Sequence, residues 1–171
     1  MPNVLAAPAA PAALSDPSLA ADAQELHRVL EDLMRVVQFR DRDRICCHDV
    51  SVTQCYALRA LVAEGPMGLN ALAESLFLDK STASRVVAAL ERKGHLLRRP
   101  DPADGRAVVL EASAAGRRLF ERIDEELVEE VARSAAGFDP AVRREMVRLL
   151  GRLATAAAAR VERSGGCCRS C

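Results

Sequence analysis

Apolar residues recur at helical spacing along most of this chain. Leu26, Val29, Leu30, Leu33, Val36 and Val37 form one stripe and predict a first helix over about Leu19 to Arg40. The segment Asp41 to Val50 breaks that pattern. Ser51-Val52-Thr53-Gln54 then reads as a capping box, in which the Ser oxygen and the Gln side chain satisfy each other's backbone N–H groups. It opens a second helix that ends near Glu64, ahead of Gly65-Pro66. Leu72, Ala73 and Leu76 mark a third helix over about Leu69 to Leu76. Asp79 caps a fourth, striped by Ala83, Val86, Val87 and Leu90 and stopped by Gly94. Two short strands follow, about Leu96 to Arg99 and Arg106 to Leu110. They are joined by Pro100-Asp101-Pro102-Ala103-Asp104-Gly105, where Pro and Gly favour a turn and neither Pro interrupts a strand. Ser113 caps a fifth helix reaching about Ala136, with Leu119, Ile123, Leu127 and Val131 on one side. Asp139-Pro140 starts a sixth, striped by Val142, Met146, Leu149, Leu150 and Leu153 and ended by Gly165-Gly166.

The order predicts a mainly α chain with a small β-wing. A winged helix-turn-helix module over 51–112 sits between a dimerisation helix and hinge, 18–50, and two further dimerisation helices, 113–164. An Ala/Pro-rich arm, 1–17, is expected to be disordered, and a Cys-rich tail fills 165–171. Half of the 171 residues are hydrophobic, but many are Ala and only 3% are aromatic, so each helix buries little area. The stripes of the first, fifth and sixth helices exceed what one small module can cover, which predicts pairing with a second copy.

Charge changes the picture only locally. The formal net charge is zero, so the global basic excess usual in nucleic-acid binders is missing. From Lys80 through Arg106, however, seven basic residues face three acidic ones. The acids gather instead at Glu121, Asp124, Glu125, Glu126, Glu129 and Glu130, most simply a solvated helix face. A helix that opens with small hydroxyls and one Arg suits a DNA major groove. A hairpin with Arg at its edges suits phosphates and a minor groove. No Cys-x-x-Cys motif, Ser/His/Asp set or phosphate loop is present, so an enzyme is not expected. No stretch is long and apolar enough to span a membrane, and the N-terminus lacks a basic n-region, so a cytoplasmic location is expected.

The runs LDKSTASRVVAALERKGHLLRRPDPADGRAVVLEASAAGRRL and SVTQCYALRAL resemble the MarR family of bacterial transcription regulators. The resemblance extends from about Leu26 to Arg163. It implies a homodimer in which the first, fifth and sixth helices of two chains interlock. Each winged module would enter one half of a pseudo-palindromic double-stranded operator. Lys80, Ser81, Thr82, Ser84 and Arg85 then fall where the recognition helix meets the major groove. Arg98 and Arg99 match the wing's basic strand, and Asp104 and Arg106 its Asp-x-Arg pattern, with the Arg at the minor groove. One departure is Phe77, in the turn between third and fourth helices, where relatives often have Gly. A Phe adopts the left-handed conformation at a cost, so either the turn is reshaped or the ring packs beneath it.

Six cysteines lie in two places: Cys46, Cys47 and Cys55, and Cys167, Cys168 and Cys171. In a reducing compartment they point to metal or redox chemistry more than to structural disulfides. Soft thiolates select arsenite, Cu(I), Zn(II) or Hg(II), and arsenite takes three in a pyramid. His48 and Asp49 add harder ligands that suit Zn(II). Cys55, on the stripe of Val52, Leu58 and Val62, is equally read as a small buried hydrophobe. His27 and His95 are weak signals. The expectation is a repressor that needs no cofactor to bind DNA and is released by a thiophilic metal or metalloid ion, arsenite favoured. The alternatives are a thiol redox sensor and a repressor answering a small organic ligand.

Overall fold

The computed structural model describes residues 17–101 and 107–164. The N-terminal arm before Pro17, the wing residues Asp104 and Arg106, and the tail cysteines Cys167, Cys168 and Cys171 lie outside the described residues. The elements run α1 (Pro17–Cys46), α2 (Val52–Ala63), α3 (Leu69–Ser75), α4 (Lys80–Arg92), β1 (Leu96–Pro100), β2 (Val108–Ala112), α5 (Ala114–Ala135) and α6 (Pro140–Ser164). This is the mainly helical order with one small wing that the sequence predicts.

Two boundaries differ. α1 continues to Cys46, past the expected stop at Arg40. The charged run hid the reason, which is Ile45: eight residues after Val37, it lies on the same helix face and is fully buried. β2 begins at Val108 and Pro100 closes β1, so the strands pair antiparallel from Leu96 opposite Ala112 to Pro100 opposite Val108. Pro100 is tolerated because it sits at the last rung.

The chain divides into two compact units. One comprises 37–133; the other holds, of the described residues, 17–36 and 134–164. In the first, Leu58, Leu61, Leu72, Val87, Leu90, Leu96, Leu110 and Ile123 are fully buried and form one core with Ile45, Val50 and Cys55. Burying each large side chain stabilises the unit by about 1.5–3 kcal/mol. Met67 adds an isolated bridge to Leu110 beside the hairpin.

The caps are those the sequence predicts. Ser51 and Gln54 form the reciprocal capping box of α2. The Asp79 carboxylate accepts from the Thr82 backbone N–H at 2.8 Å, and Asp139 from that of Ala141 at 2.7 Å. Ser113 Oγ accepts from the Gly116 N–H at 3.0 Å and donates to the Gly94 carbonyl at 2.7 Å, tying the start of α5 to the end of α4.

α3 and α4 end in the same hydrogen-bonded turn. At α3, the Leu78 N–H reaches the Ala73 carbonyl and the Phe77 N–H that of Glu74; at α4, the His95 N–H reaches Leu90 and the Gly94 N–H reaches Glu91. This is the Schellman arrangement, which places its C′ residue in the left-handed region. Gly94 fills it at φ 72° and Phe77 at φ 53°. Both expectations for Phe77 are therefore corrected. The turn keeps its usual shape, and the ring is 60% exposed instead of packed beneath it. Core packing elsewhere outweighs the left-handed penalty of about 1–2 kcal/mol.

Candidate nucleic-acid interface

The first turn of α4 is a small hydrogen-bonded lattice. Asp79 accepts from Ser81 Oγ at 2.5 Å and from Thr82 Oγ1 at 2.7 Å, besides the Thr82 backbone. These bonds, Ser81's first, hold the Asp79 carboxyl well below the usual carboxylate range. Arg85 Nη2 donates to Thr82 Oγ1 at 2.9 Å. The hydroxyls of Ser81 and Thr82 thus both donate back to Asp79. Ala83, Val87 and Leu90 lock the opposite face into the core. Lys80, Ser81 and Arg85 are exposed, and Thr82 and Ser84 half-buried. Lys80, Ser81 and Arg85 therefore face outward in the first turns of α4, with Thr82 and Ser84 partly covered between them.

The described part of the wing carries two arginines, each beside an acid. Arg98 Nε donates to Glu91 Oε2 at 2.9 Å, and Arg99 Nε lies 2.9 Å from Glu111 Oε2. Arg117 also approaches Glu111, at 3.6 Å. All are solvent-accessible pairs of the kind worth about 0–1 kcal/mol, which a phosphate can displace. Sequence reading found the arginines but not their acid partners, because Glu91 meets Arg98 only once the helix turns back into the strand.

The cysteine segment follows the end of α1. Cys46 is the last helical residue, and both Cys46 and Cys47 are exposed. Cys47 Sγ makes a weak donor contact to the Asp43 carbonyl at 3.2 Å. Cys55 is 3% exposed within the core, and burial above all, with the nearby charge of Asp124, pushes its thiol up to about 11. It packs in the core as the small buried hydrophobe that is one of its two readings. Among the described residues no group of three His, Cys, Asp or Glu side chains is placed to hold a metal. His48 and Asp49, the harder ligands, are engaged. His48 Nε2 is 3.2 Å from Glu126 Oε1. Lys93 Nζ donates to the Asp49 carbonyl and lies 3.3 Å from its carboxylate. Arg44 pairs with Glu130. A surface cavity of about 370 Å³ opens nearby, lined by Val37, Phe39, Asp41, Arg42, Val52 and Tyr56 among others.

The MarR family model matches residues 48–107, from the turn after Cys47 to the residue before β2. An HTH-type transcriptional regulator of Mycobacterium leprae is 35% identical over 105 residues, 61% of this chain and 68% of that protein. The chain belongs to the MarR family. It is accordingly a DNA-binding transcriptional regulator and not an enzyme. The HTH-type regulator YxaD of Bacillus subtilis is 44% identical over 63 residues, 37% of this chain but only 44% of YxaD. A MarR family protein from Bacillus stearothermophilus superimposes with a TM-score of 0.74 at 23% identity, over 80% of this chain and 95% of that one. MarR regulators bind DNA and are typically dimeric. No helix among the described residues is long and apolar enough to cross a membrane.

Proposed function

We propose that this MarR regulator is a homodimeric repressor whose grip on a pseudo-palindromic operator is released by a thiophilic ion, arsenite foremost, captured by Cys46 and Cys47. The observation that carries the reading is the position of this thiol pair. It sits on the surface at the end of α1, three and two residues before Asp49, which is tied through Lys93 to the last turn of α4. Soft ions prefer thiolates, and two adjacent exposed thiols offer two such ligands. Each thiol that binds arsenous acid replaces one hydroxyl and releases one water. The third position of the pyramid takes another thiol, and changing Cys167, Cys168 and Cys171 tests whether one of them fills it. Cys55 is left out of the site because it is buried in the core, away from the exposed pair.

Pairing of two chains is supported by exposed apolar side chains at helical spacing on α1 and α6. Leu26, Val29 and Leu33 are 46–48% exposed, and Val142, Met146, Leu149 and Leu150 are similarly open. Two such modules would present α4 to half-sites about 10 bp apart. Ser81, Thr82, Ser84 and Arg85 would read base edges, while Arg98, Arg99 and Arg106 would hold phosphates and the minor groove.

A salt-controlled titration of the reduced protein on a selected operator, with arsenite, Cu(I), Zn(II), Hg(II) and peroxide in parallel arms, tests the reading. Changing Cys46 and Cys47 to Ser leaves operator affinity nearly intact and abolishes release by arsenite. Release of the double variant by every thiophile as for wild type overturns the sensor reading. A response to peroxide alone makes the protein a thiol redox sensor. The cavity beside Tyr56 favours a second reading, an organic effector, which gains if only small aromatic acids release the protein.

A further inference from the structure

The α3–α4 turn carries a side chain that stands outside the core of its unit. Its backbone is the Schellman turn that the same module builds again at the end of α4, and there the left-handed position is given to Gly94. Phe77 takes that position at φ 53°, where a side chain is disfavoured. In a Schellman turn the apolar contact that closes the helix end belongs to the residues on either side, here Ala73 and Leu78. Ala73 is buried and Leu78 half-buried. Leu76 packs on the core, whereas Phe77 does not and is 60% exposed. An unfavourable backbone angle and an uncovered aromatic ring thus coincide at one residue. That residue lies two positions before Asp79, the cap that orders Ser81 and Thr82.

We propose that Phe77 is a specificity-determining residue that reads thymine in the operator's major groove by packing its ring on the C5-methyl group. The proposal rests on the reading above that the first turn of α4 enters that groove. The groove presents polar donors and acceptors at every base pair and one apolar group, the thymine methyl. Phe77 is exposed two residues before the cap of that helix, and a phenyl ring brought to the groove there would find the thymine methyl as its apolar partner. The polar first turn and the ring divide the work: Ser81 and Arg85 take hydrogen-bonding edges, and Phe77 takes the methyl of a neighbouring step. A glycine in the same turn would keep the backbone and lose this contact.

The test uses the full-length protein and an operator selected from a random duplex library. Each thymine is replaced in turn by deoxyuridine, which removes only the methyl, and binding is followed by fluorescence anisotropy at fixed salt. For wild type, one thymine per half-site loses about fourfold in affinity on replacement, and both together about fifteenfold. Phe77→Gly binds the thymine operator as weakly as wild type binds the doubly replaced one, and is indifferent to deoxyuridine at those positions. Phe77→Leu lies between. Phe77→Gly also unfolds at higher urea than wild type, which removes misfolding as the cause of weaker binding. Phe77→Gly that binds the thymine operator as wild type does, that still discriminates deoxyuridine there, or that loses affinity only through loss of dimer in sedimentation overturns the proposal. Arg85→Ala separates the two levels. If it is silent, the placement of α4 is wrong; if it weakens binding while the thymine scan is flat, only the role of Phe77 falls.

Discussion

Lys93 at the C-terminal end of α4 holds Asp49, the residue that turns the chain between α1 and α2. Its ammonium donates to the Asp49 carbonyl and lies 3.3 Å from the carboxylate. Asp49 is itself in the left-handed region at φ 56°, and its N–H bonds the Cys46 carbonyl. The backbone of the thiol pair and the far end of the reading helix therefore meet at one residue. On the proposed function, an ion drawn between Cys46 and Cys47 would reshape the turn that presents the Asp49 carbonyl and so have a mechanical route to α4.

Lys93→Met tests the route, since it keeps the helix and removes both contacts. Affinity of the thiophile-free protein should stay within about fivefold of wild type, the ceiling for an exposed pair. The arsenite-induced loss of binding should shrink about tenfold or more. Undiminished arsenite release by Lys93→Met in an anisotropy titration would sink this route and leave the thiol pair acting elsewhere.

Gly116→Ala should disable the reading module. A Cβ there would stand 2.1 Å from the His95 carbonyl oxygen, which is backbone, and 3.2 Å from Leu58. That carbonyl also accepts the Ser113 N–H, so it has no freedom to retreat. We expect a loss of about 3 kcal/mol or more, at the upper end of overpacking effects. Urea unfolding followed by helical circular dichroism measures it, and a change under 1 kcal/mol, by the same scale, contradicts the packing.

Local chemistry made much of this architecture legible in the sequence. The capping box at Ser51, the Asp79 and Asp139 caps and the Gly94 stop are short-range signals, and each appears as read. What failed was long-range. Ile45 was hidden among charges, because only the folded core shows that its face is covered. Cys55 was ambiguous because a thiol on an apolar stripe serves a core or a ligand set equally well until burial is known. The acid partners of Arg98 and Arg99 depend on how the hairpin meets α4 and on strand register. Phe77 was flagged by its type, but its exposure is a tertiary fact.

The three first-cluster thiols should separate by reactivity. Cys55 is raised from 9.0 to about 11, whereas Cys46 and Cys47 are open to solvent. At pH 8, iodoacetamide mapped by mass spectrometry should label Cys46 and Cys47 readily and Cys55 only on unfolding. The raised thiol also sets a sign for stability. The native state keeps the Cys55 proton after the unfolded chain has lost it. Its contribution is therefore complete below pH 9 and is lost as pH rises from about 9 to 11. Two units amount to about 2–3 kcal/mol. Cys55→Ala should flatten that alkaline decline in urea midpoint, and an unchanged decline assigns it to other groups.

The wing's arginines should reveal themselves through salt. Arg98 rests on Glu91, and both side chains are partly exposed, 39% and 43%. On DNA the guanidinium would exchange the carboxylate for a phosphate, leaving Glu91 unpaired beside a polyanion. Glu91→Gln removes that opposing charge without shortening the side chain. Operator affinity at low salt should rise roughly threefold, and the log–log salt slope should steepen by up to about 0.9, the value for one more phosphate contact. Arg98→Ala should do the reverse, weakening all duplexes alike because phosphate contacts carry no sequence. The gain from Glu91→Gln should fade at high salt, as screening removes the interaction it strengthens. Equal affinities and equal slopes for wild type and Glu91→Gln across a salt series would mean that Arg98 never reaches the backbone, and the wing would then dock through its tip alone.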